Sequence, residues 1–282
     1  GSGLKARRVA VVGLGLMGGS LALALRQAAP GVRLVGVDRD PRTLEKARQS
    51  GVVDEAAAGL DVVEGADLVV LAVPIDALRQ ILAAGSGHFG EAVVTDLAST
   101  KAQVLSWAAE AGVDLVGGHP LCGRERSGLE AADAGLFRGA AWVLTRPEPA
   151  VVEVVEAVGA RVVVLDPDTH DRLLAGVSHA AFLLSTAYVL ALAGSPDWPQ
   201  MSALAASGFR DLSRLAEGDS EMYAAIVRTN REHVAAHLDA VLGSLQRVRR
   251  HLAADDVRLV ELFEEAKAVR ERWRKEADAG PG

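Results

Sequence analysis

One histidine lies in a segment whose composition is typical of an active-site loop. His119 follows a predicted strand at 114–116 and sits among glycines, a proline and charged residues. Histidine suits a reaction in which a hydroxyl group loses its proton as hydride departs, because its unperturbed pKa is close to neutral pH. We therefore predict that His119 is a general base; the alternative is a structural histidine. Cys122 is interpreted as a packing thiol, because nothing in the pattern requires covalent catalysis.

A second group of polar residues directly follows another predicted strand. The run is Thr95-Asp96-Leu97-Ala98-Ser99-Thr100-Lys101, and parallel sheets present their ligand sites at such strand ends. Ser99 or Thr100 is predicted to cap a helix that begins near Lys101. A capping serine in a cofactor cleft stays within reach of a substrate, so Ser99 is also a candidate catalytic residue.

Two arginines form a possible anion site. Arg210 and Arg214 are four residues apart and share a face if the segment is helical. Two guanidinium groups on one face repel each other unless an anion or acids lie opposite, and the guanidinium fork matches a carboxylate. The pair predicts either a carboxylate-binding site or a solvated charged face with Asp211 or Glu217 as partners.

Other histidines carry weaker signals. His170, next to Asp171, and His179 lie on or just before an apolar segment. The default interpretation of each is a buried histidine bonded to a backbone carbonyl. His233 and His237 have a spacing that can bind a metal, but no third ligand is evident, and we predict no metal site.

The elements that must position these groups include a glycine turn near the start of the chain. Residues 9–12 read as a strand, residues 13–18 (Gly-Leu-Gly-Leu-Met-Gly) as a turn that opens a helix, and Asp38 as the end of a second strand. In this pattern the first glycine permits a tight turn, the second lets a pyrophosphate approach, and the third allows close helix packing. Asp38 is placed to accept hydrogen bonds from a ribose diol.

This pattern predicts a bound dinucleotide. NAD is favoured, because Asp38 would repel the additional phosphate of NADP, although Arg39 could tolerate it and NADP stays possible. The predicted cofactor contacts are Gly13, Gly15, Leu16, Met17, Gly18, Asp38, Arg39, Val73, Pro74 and Ser99.

The spacing of apolar residues divides the chain into two parts. Short β-rich runs alternate with helical segments in the first part, which is typical of a doubly wound parallel sheet, and only helical periodicity follows. We predict an α/β Rossmann-type domain over 4–166 and an all-α substrate and dimerisation domain over 167–276. Strands are predicted at 8–12, 33–37, 68–72, 92–95, 114–116, 141–145 and 161–165, and helices at 16–28, 41–50, 75–84, 100–111 and 149–158.

Composition restricts the class of function. The 282-residue chain is half hydrophobic, and its net charge of -7 provides no general basic field for nucleic acid or an anionic membrane. Its single cysteine fits a reducing cytoplasm. The apolar stretch 173–193 contains polar residues and is interpreted as a buried helix, not a membrane span. Residues 171–250 are apolar on several faces, which predicts a homodimer, and 276–282 are predicted to be disordered.

Taken in order, these motifs resemble the prephenate dehydrogenase family, which includes arogenate and cyclohexadienyl dehydrogenases. The similarity extends from Gly13 to about Arg250. The matching runs are GLGLMGGSLA at 13–22, Thr-Asp-x-x-Ser-x-Lys at 95–101, Gly-Gly-His-Pro-x-x-Gly at 117–123 with Glu125 and Ser127-Gly128, His170-Asp171, Val177-Ser178-His179, and Gly-Phe-Arg-Asp-x-x-Arg at 208–214.

The resemblance implies NAD(P)-dependent oxidative decarboxylation of a cyclohexadienol, a small dicarboxylate. It implies that His119 accepts the proton of the ring hydroxyl and that Ser99 orients this histidine or the hydroxyl. By the same resemblance Arg214 binds a substrate carboxylate, Arg210 supports it, and Glu125 lies at the site entrance. The other substrate contacts expected are Thr100, Ser178 and His179.

One departure from the family pattern bears on substrate choice. Many members continue Ser-His with Leu-Pro-His, whereas Phe182 stands here at the second histidine position and removes a possible polar contact. Prephenate is favoured because the arginines suit a dianion without an ammonium group; arogenate and the ring-amino analogue amino-deoxyprephenate are the alternatives.

Two other interpretations compete with this one. A β-hydroxyacid dehydrogenase or imine reductase shares the glycine opening, but its Lys-x-x-x-Asn run is missing between 166 and 193. A non-catalytic dinucleotide sensor is the alternative from a different class.

Overall fold

The apolar run before the glycine turn becomes a central strand of a parallel sheet. The structure, a computed structural model, describes residues 3–123, 127–254 and 257–280. The strands are β1 (Arg8–Val12), β2 (Arg33–Val37), β3 (Glu55–Ala57), β4 (Leu68–Leu71), β5 (Val93–Asp96) and β6 (Leu115–Val116). They run parallel in the order β3-β2-β1-β4-β5-β6.

Alternate residues of β1 pack on opposite faces of this sheet. Val9 and Val11 belong to one buried apolar cluster, and Ala10 and Val12 belong to another. Both faces are therefore covered by helices, which confirms the doubly wound fold class. The covering helices are α1 (Leu16–Ala28), α2 (Pro41–Gln49), α3 (Ile75–Gly85), α4 (Ala102–Glu110) and α5 (Pro149–Ala157).

A second sheet carries the candidate base. It consists of β7 (Gly118–Pro120), β8 (Ala141–Leu144) and β9 (Arg161–Val164), with β7 antiparallel and β9 parallel to β8. His119 lies in β7 opposite Val143, so its expected position on a loop is wrong. The predicted strands at 141–145 and 161–165 exist but belong to this separate sheet, and β3 and β7 were not expected.

Helices make up the rest of the described chain. They are α6 (Pro167–Leu174), α7 (Ala180–Ala193), α8 (Trp198–Leu204), α9 (Ser207–Ser213), α10 (Ser220–Arg228), α11 (Arg231–Ala253) and α12 (Arg258–Ala279). A π-turn, Ala175–His179, joins α6 to α7, and 3-10 turns occur at Leu60–Val63, Leu129–Ala131 and Arg214–Glu217. The prediction that 276–282 are disordered is wrong for residues 276–279, because α12 continues to Ala279.

The segment Pro167–Ala193 is apolar but only partly covered. By length and composition it could cross a membrane, and 22% of its most apolar window is buried in the single chain. The predicted burial of this helix is therefore incomplete. Its buried residues include four polar ones, His170, Asp171, His179 and Ser185, so its inward face belongs to a polar site.

The chain forms two compact units that divide after His233. The domain boundary at 166/167 remains a prediction. In the second unit, Arg247 Nη2 lies 3.4 Å from Glu265 Oε2. The apolar residues Leu245 in α11 and Phe263 in α12 are 56% and 60% exposed, so both helices present apolar side chains outward in the single chain.

Candidate active site

At two glycines of the turn after β1 there is no room for a side chain. Gly13 has a φ of 95°, which favours glycine, and a Cβ there would lie 2.6 Å from the carbonyl oxygen of Ala72. A Cβ at Gly18 would lie 1.8 Å from the carbonyl oxygen of Gly13. At Gly15 a Cβ would meet nothing within 4 Å, so this backbone borders open space.

The N-terminus of α1 is suited to an anion. Gly15 is its N-cap, no side chain caps it, and its first turn contains no acidic residue. Leu16 and Met17 are partly exposed. Such a terminus presents backbone N–H groups and the positive end of the helix dipole, so these residues fit the pyrophosphate of a dinucleotide.

Asp38 is held beside this turn. Its Oδ2 accepts the backbone N–H of Leu14 at 2.9 Å, and its Oδ1 accepts a backbone N–H two residues further on at 2.9 Å. An ionised carboxylate has about four acceptor positions, so it retains capacity for a pair of hydroxyl groups. Of the other predicted cofactor contacts, Val73 borders the first glycine, and Arg39 and Pro74 are exposed.

Lys101 is fully buried and links the two sheets. Its Nζ donates to the carboxylate of Asp96, at the end of β5, and to the carbonyl oxygen of Gly118, in β7. Asp96 also accepts the backbone N–H groups of Ala98 and Gly118, each at 3.0 Å. Burial lowers the pKa of Lys101, and the nearby carboxylates of Asp96 and Asp171 oppose that shift. The strand that carries His119 is thereby fixed against the six-stranded sheet.

The cap predicted for α4 is wrong. Neither Ser99 nor Thr100 caps this helix. Asp171, from α6, instead accepts the backbone N–H groups of residues 101–102 at 2.8 and 3.0 Å. A carboxylate is the stronger partner because it carries a full negative charge at the positive end of the helix dipole. Thr100 is buried and its Oγ1 lies 2.8 Å from Thr229 Oγ1.

A chain of hydrogen bonds runs from His119 to this same carboxylate. His119 Nδ1 lies 2.8 Å from His170 Nε2, and His170 Nδ1 lies 2.8 Å from Asp171 Oδ1. All three side chains are buried. We call these residues the histidine relay. The default interpretation of His170, a bond to a backbone carbonyl, is wrong, because its ring bonds two side chains.

The relay determines which ring nitrogens carry protons. The carboxylate of Asp171 accepts only, so His170 Nδ1 donates to it. In neutral His170 the other nitrogen, Nε2, must then accept, and His119 Nδ1 donates to it. His119 therefore has its lone pair on Nε2, which is the form of a general base.

Electrostatics keep His119 neutral. Burial is the main cause that holds the pKa of His119 well below its usual value, and the positive charge of Lys101 acts in the same direction. A neutral ring at physiological pH is ready to accept a proton. Cys122 on the same segment is half-buried, and burial raises the pKa of its thiol to about 11, which agrees with a packing role.

His179 is a second buried histidine near the relay. Its Nδ1 lies 3.2 Å from Asn230 Nδ2, which also donates to the backbone oxygen of Asp171 at 2.8 Å. The expected backbone carbonyl partner is therefore replaced by a side-chain amide. Burial lowers the pKa of His179 to about 4. Ser178, its neighbour, is partly exposed.

The other predicted substrate residues are less closely connected to the relay. Ser99 is partly exposed, and within the described residues no hydrogen bond joins it to His119. Arg210 lies in α9, and Arg214 follows with helical φ and ψ of -53° and -44°. The turn after Arg214 is fastened to α7, where Ser185 Oγ accepts the Ala216 N–H at 3.0 Å. Glu125 lies outside the described residues.

Sequence reasoning missed three positioning residues. Lys101 and Asp171 were visible only as members of motifs, and Asn230 was not singled out at all. The run Thr-Asp-x-x-Ser-x-Lys is a usable signal for Lys101, because a lysine five residues past the acid at a strand end can return to that acid. No local pattern marks Asn230, whose partners are 59 and 51 residues away.

A doubly wound sheet with an open helix terminus, beside a buried histidine relay, defines a dinucleotide-dependent oxidoreductase. The family model described as prephenate dehydrogenase, nucleotide-binding domain, matches residues 21–164. The model described as prephenate dehydrogenase, dimerization domain, matches residues 166–265. The chain belongs to the prephenate dehydrogenase family, as its motifs predicted.

Individual relatives agree with this assignment. A prephenate dehydrogenase of Lactococcus lactis is 31% identical over 276 residues, which are 94% of this chain and 77% of the relative. The crystal structure of prephenate dehydrogenase from A. aeolicus with hydroxyphenyl propionate and NAD+ has a TM-score of 0.89 at 30% identity, covering 95% of this chain and 99% of that one. Synechocystis arogenate dehydrogenase has a TM-score of 0.83 at 31% identity, covering 94% and 99%.

Proposed function

We propose that this protein catalyses the NAD-dependent oxidative decarboxylation of prephenate to 4-hydroxyphenylpyruvate, a reaction of tyrosine biosynthesis. The observation that carries the proposal is the bond between His119 Nδ1 and His170 Nε2, which leaves His119 Nε2 as the proton acceptor. The prephenate dehydrogenases of L. lactis and A. aeolicus among the similar proteins support the choice of substrate.

A bound nicotinamide would supply the hydride acceptor for the ring carbon that carries the hydroxyl group. His119 Nε2 takes the hydroxyl proton, and its Nδ1–H remains bonded to His170. The carboxylate of Asp171, bonded to His170, stabilises the positive charge that forms on the two rings. Breakage of the bond to the ring carboxylate releases carbon dioxide, and the bonding electron pair completes the aromatic ring as a phenolate. The proton held by His119 then returns to the phenolate oxygen, which gives the phenol product and restores the neutral base. The protein mainly supplies orientation and charge placement.

The substrate carboxylates are assigned to the arginines. Arg214 binds one of them, Arg210 supports it, and Glu125 lies at the entrance. Ser99 orients the hydroxyl or His119 from its position between β5 and α4. The remaining proposed contacts are Thr100, Ser178 and His179.

NAD is the proposed cofactor because Asp38 stands where a ribose phosphate would be repelled, and NADP is the alternative through Arg39. The NAD+ in the A. aeolicus structure supports this choice. Arogenate and amino-deoxyprephenate are the alternative substrates. The similarity to Synechocystis arogenate dehydrogenase is the reason to assay arogenate.

We further propose a cytoplasmic homodimer, formed through the helical domain over 167–276. The dimerization-domain match supports it, as do exposed apolar side chains on the helices. Val177 is 79% and Leu190 66% exposed in the single chain. A second copy covering these residues would complete the burial expected of the apolar helix.

One assay distinguishes the candidate functions. NADH formation is followed with NAD and, in turn, prephenate, arogenate and amino-deoxyprephenate, while NAD binding is measured separately by calorimetry. We expect fastest turnover with prephenate and a loss of about two to four orders of magnitude in kcat for His119→Asn. Cys122→Ala, on the same segment, is the control and should retain wild-type kcat. NAD binding without turnover of any substrate would instead identify a dinucleotide sensor.

A further inference from the structure

Asn230 is 5% exposed and lies at the turn between α10 and α11. Its amide orientation follows from its partners. The backbone oxygen of Asp171 can only accept, so the atom 2.8 Å away from it must be the NH2 group of Asn230. The second hydrogen of that group is directed to His179 Nδ1, 3.2 Å away.

This contact fixes the tautomer of His179. Because Asn230 Nδ2 can only donate, His179 Nδ1 must accept, and the proton of the neutral ring is on Nε2. Burial, which lowers the pKa of His179 to about 4, keeps the ring neutral at physiological pH. His179 thus differs from His119, whose proton is on Nδ1.

The π-turn makes this bridge possible. In a regular α-helix the eight residues from Asp171 to His179 would place the two about 80° apart around the axis. A π-turn holds about one additional residue, which reduces the separation to about 20° and brings both to nearly the same face. The π-turn covers Ala175–His179, so Asn230 contacts its last residue, His179, and also Asp171 in the preceding helix α6. Asn230 therefore holds the end of the irregular turn in register with the helix before it.

We propose that Asn230 is a positioning residue that fixes His179 as the Nε2–H tautomer, so that His179 offers the substrate a neutral hydrogen-bond donor. The role toward substrate rests on the proposed function; the tautomer does not. A neutral donor suits a carboxylate or carbonyl oxygen of the substrate and complements His119, which acts as an acceptor.

The first test is spectroscopic and needs no substrate. Protein with 15N-labelled histidine is examined at pH 7.5 by long-range 1H–15N correlation, in which protonated and unprotonated ring nitrogens resonate in separate regions. The His179 signals are assigned by their loss in His179→Gln. We expect protonated Nε2 and unprotonated Nδ1. The opposite pattern in the wild type would overturn the proposal even if Asn230→Asp fails to fold.

Asn230→Asp keeps the shape but replaces the donor with an acceptor. We expect His179 to become protonated on Nδ1 in this variant. Thr229→Val is the matched control: it removes the neighbouring bond to Thr100 and should leave the His179 pattern unchanged. An unchanged His179 pattern in Asn230→Asp would refute the assigned role.

Kinetics then test the substrate contact. Asn230→Asp should raise the KM for prephenate about tenfold or more and lower kcat by a smaller factor, because the change affects a binding contact and leaves the base in place. A KM within twofold of wild type, with the tautomer changed, would overturn the substrate role. If wild-type protein turns over none of the three substrates, the proposed function fails while the tautomer result stands.

Discussion

His119 Nδ1 lies 2.8 Å from His170 Nε2, and this one contact joins the second sheet to the first helix of the helical region. Through it the candidate base is oriented by a residue that is 51 positions away in sequence. The carboxylate that completes the relay, Asp171, also caps α4. The orientation of the base and the start of a core helix therefore depend on the same side chain.

The relay predicts a graded loss of activity. In His170→Gln the amide oxygen can still accept from His119, but the link to Asp171 is broken, so positive charge on His119 loses its stabilisation. We expect kcat to fall by about 10- to 1,000-fold, less than for His119→Asn. His88→Gln is the control, because His88 pairs at the surface with Glu64. A kcat for His170→Gln within twofold of wild type would exclude the relay from the reaction.

The pH dependence of activity should reflect the lowered pKa of His119. A base must be unprotonated, so kcat/KM should be constant around neutral pH and fall only as pH drops through that lowered pKa. The acid limb of kcat/KM, measured from pH 4.5 to 9, should lie below the usual histidine value of about 6.5. An acid limb centred at or above that value contradicts a buried neutral base.

His179 should make stability depend on pH. Its pKa is about 4 in the folded protein and rises on unfolding, so the unfolded chain binds more protons below neutral pH. Stability is fully present above about pH 6.5 and is lost as pH falls toward the folded value. Between pH 7 and pH 5 the free energy of unfolding, measured with urea, should fall in both proteins. We expect the fall in His179→Gln to be about 2 kcal/mol smaller than in the wild type. Equal losses in both proteins would contradict this.

Lys101→Met should be strongly destabilising. It leaves the carboxylate of Asp96 fully buried without its cation, although two backbone N–H groups remain bonded to it. Breaking a buried pair in this way costs about 3–5 kcal/mol of unfolding free energy. Arg79→Met breaks the exposed pair with Glu110 and should cost less than about 1 kcal/mol. If the two variants lose similar amounts of unfolding free energy in urea, the buried pair of Lys101 and Asp96 contributes no more to stability than an exposed pair.

Arg214→Ala tests the carboxylate site. We expect KM for prephenate to rise by about tenfold or more with a smaller change in kcat, because a contact made equally in the ground and transition states is lost. Arg228→Ala, which removes an exposed arginine bonded to Asp76, provides the comparison. A change in KM below about twofold would remove Arg214 from the carboxylate site.

Much of the nucleotide-binding half could be predicted because its signals are local. The glycine turn and Asp38 each follow a strand that is buried on both faces. Such a strand needs a continuous apolar sequence, which is easy to recognise. β7 could not be found this way, since Gly-His-Pro contains no β-branched residue and its pairing partner is 24 positions away, His119 opposite Val143. The cap of α4 was missed because Asp171 reaches it through space, and no sequence period marks a π-turn.

Lys101 has a further consequence, which concerns the alignment of the two proposed acceptors. Within the described chain the six-stranded sheet and the sheet of His119 share no strand, and the ammonium group of Lys101 bonds to both. The proposed hydride acceptor is held by one sheet and the proton acceptor by the other. The alignment of the two acceptors therefore depends in part on a buried ion pair, and a substitution at Lys101 would misalign them without touching a reacting atom.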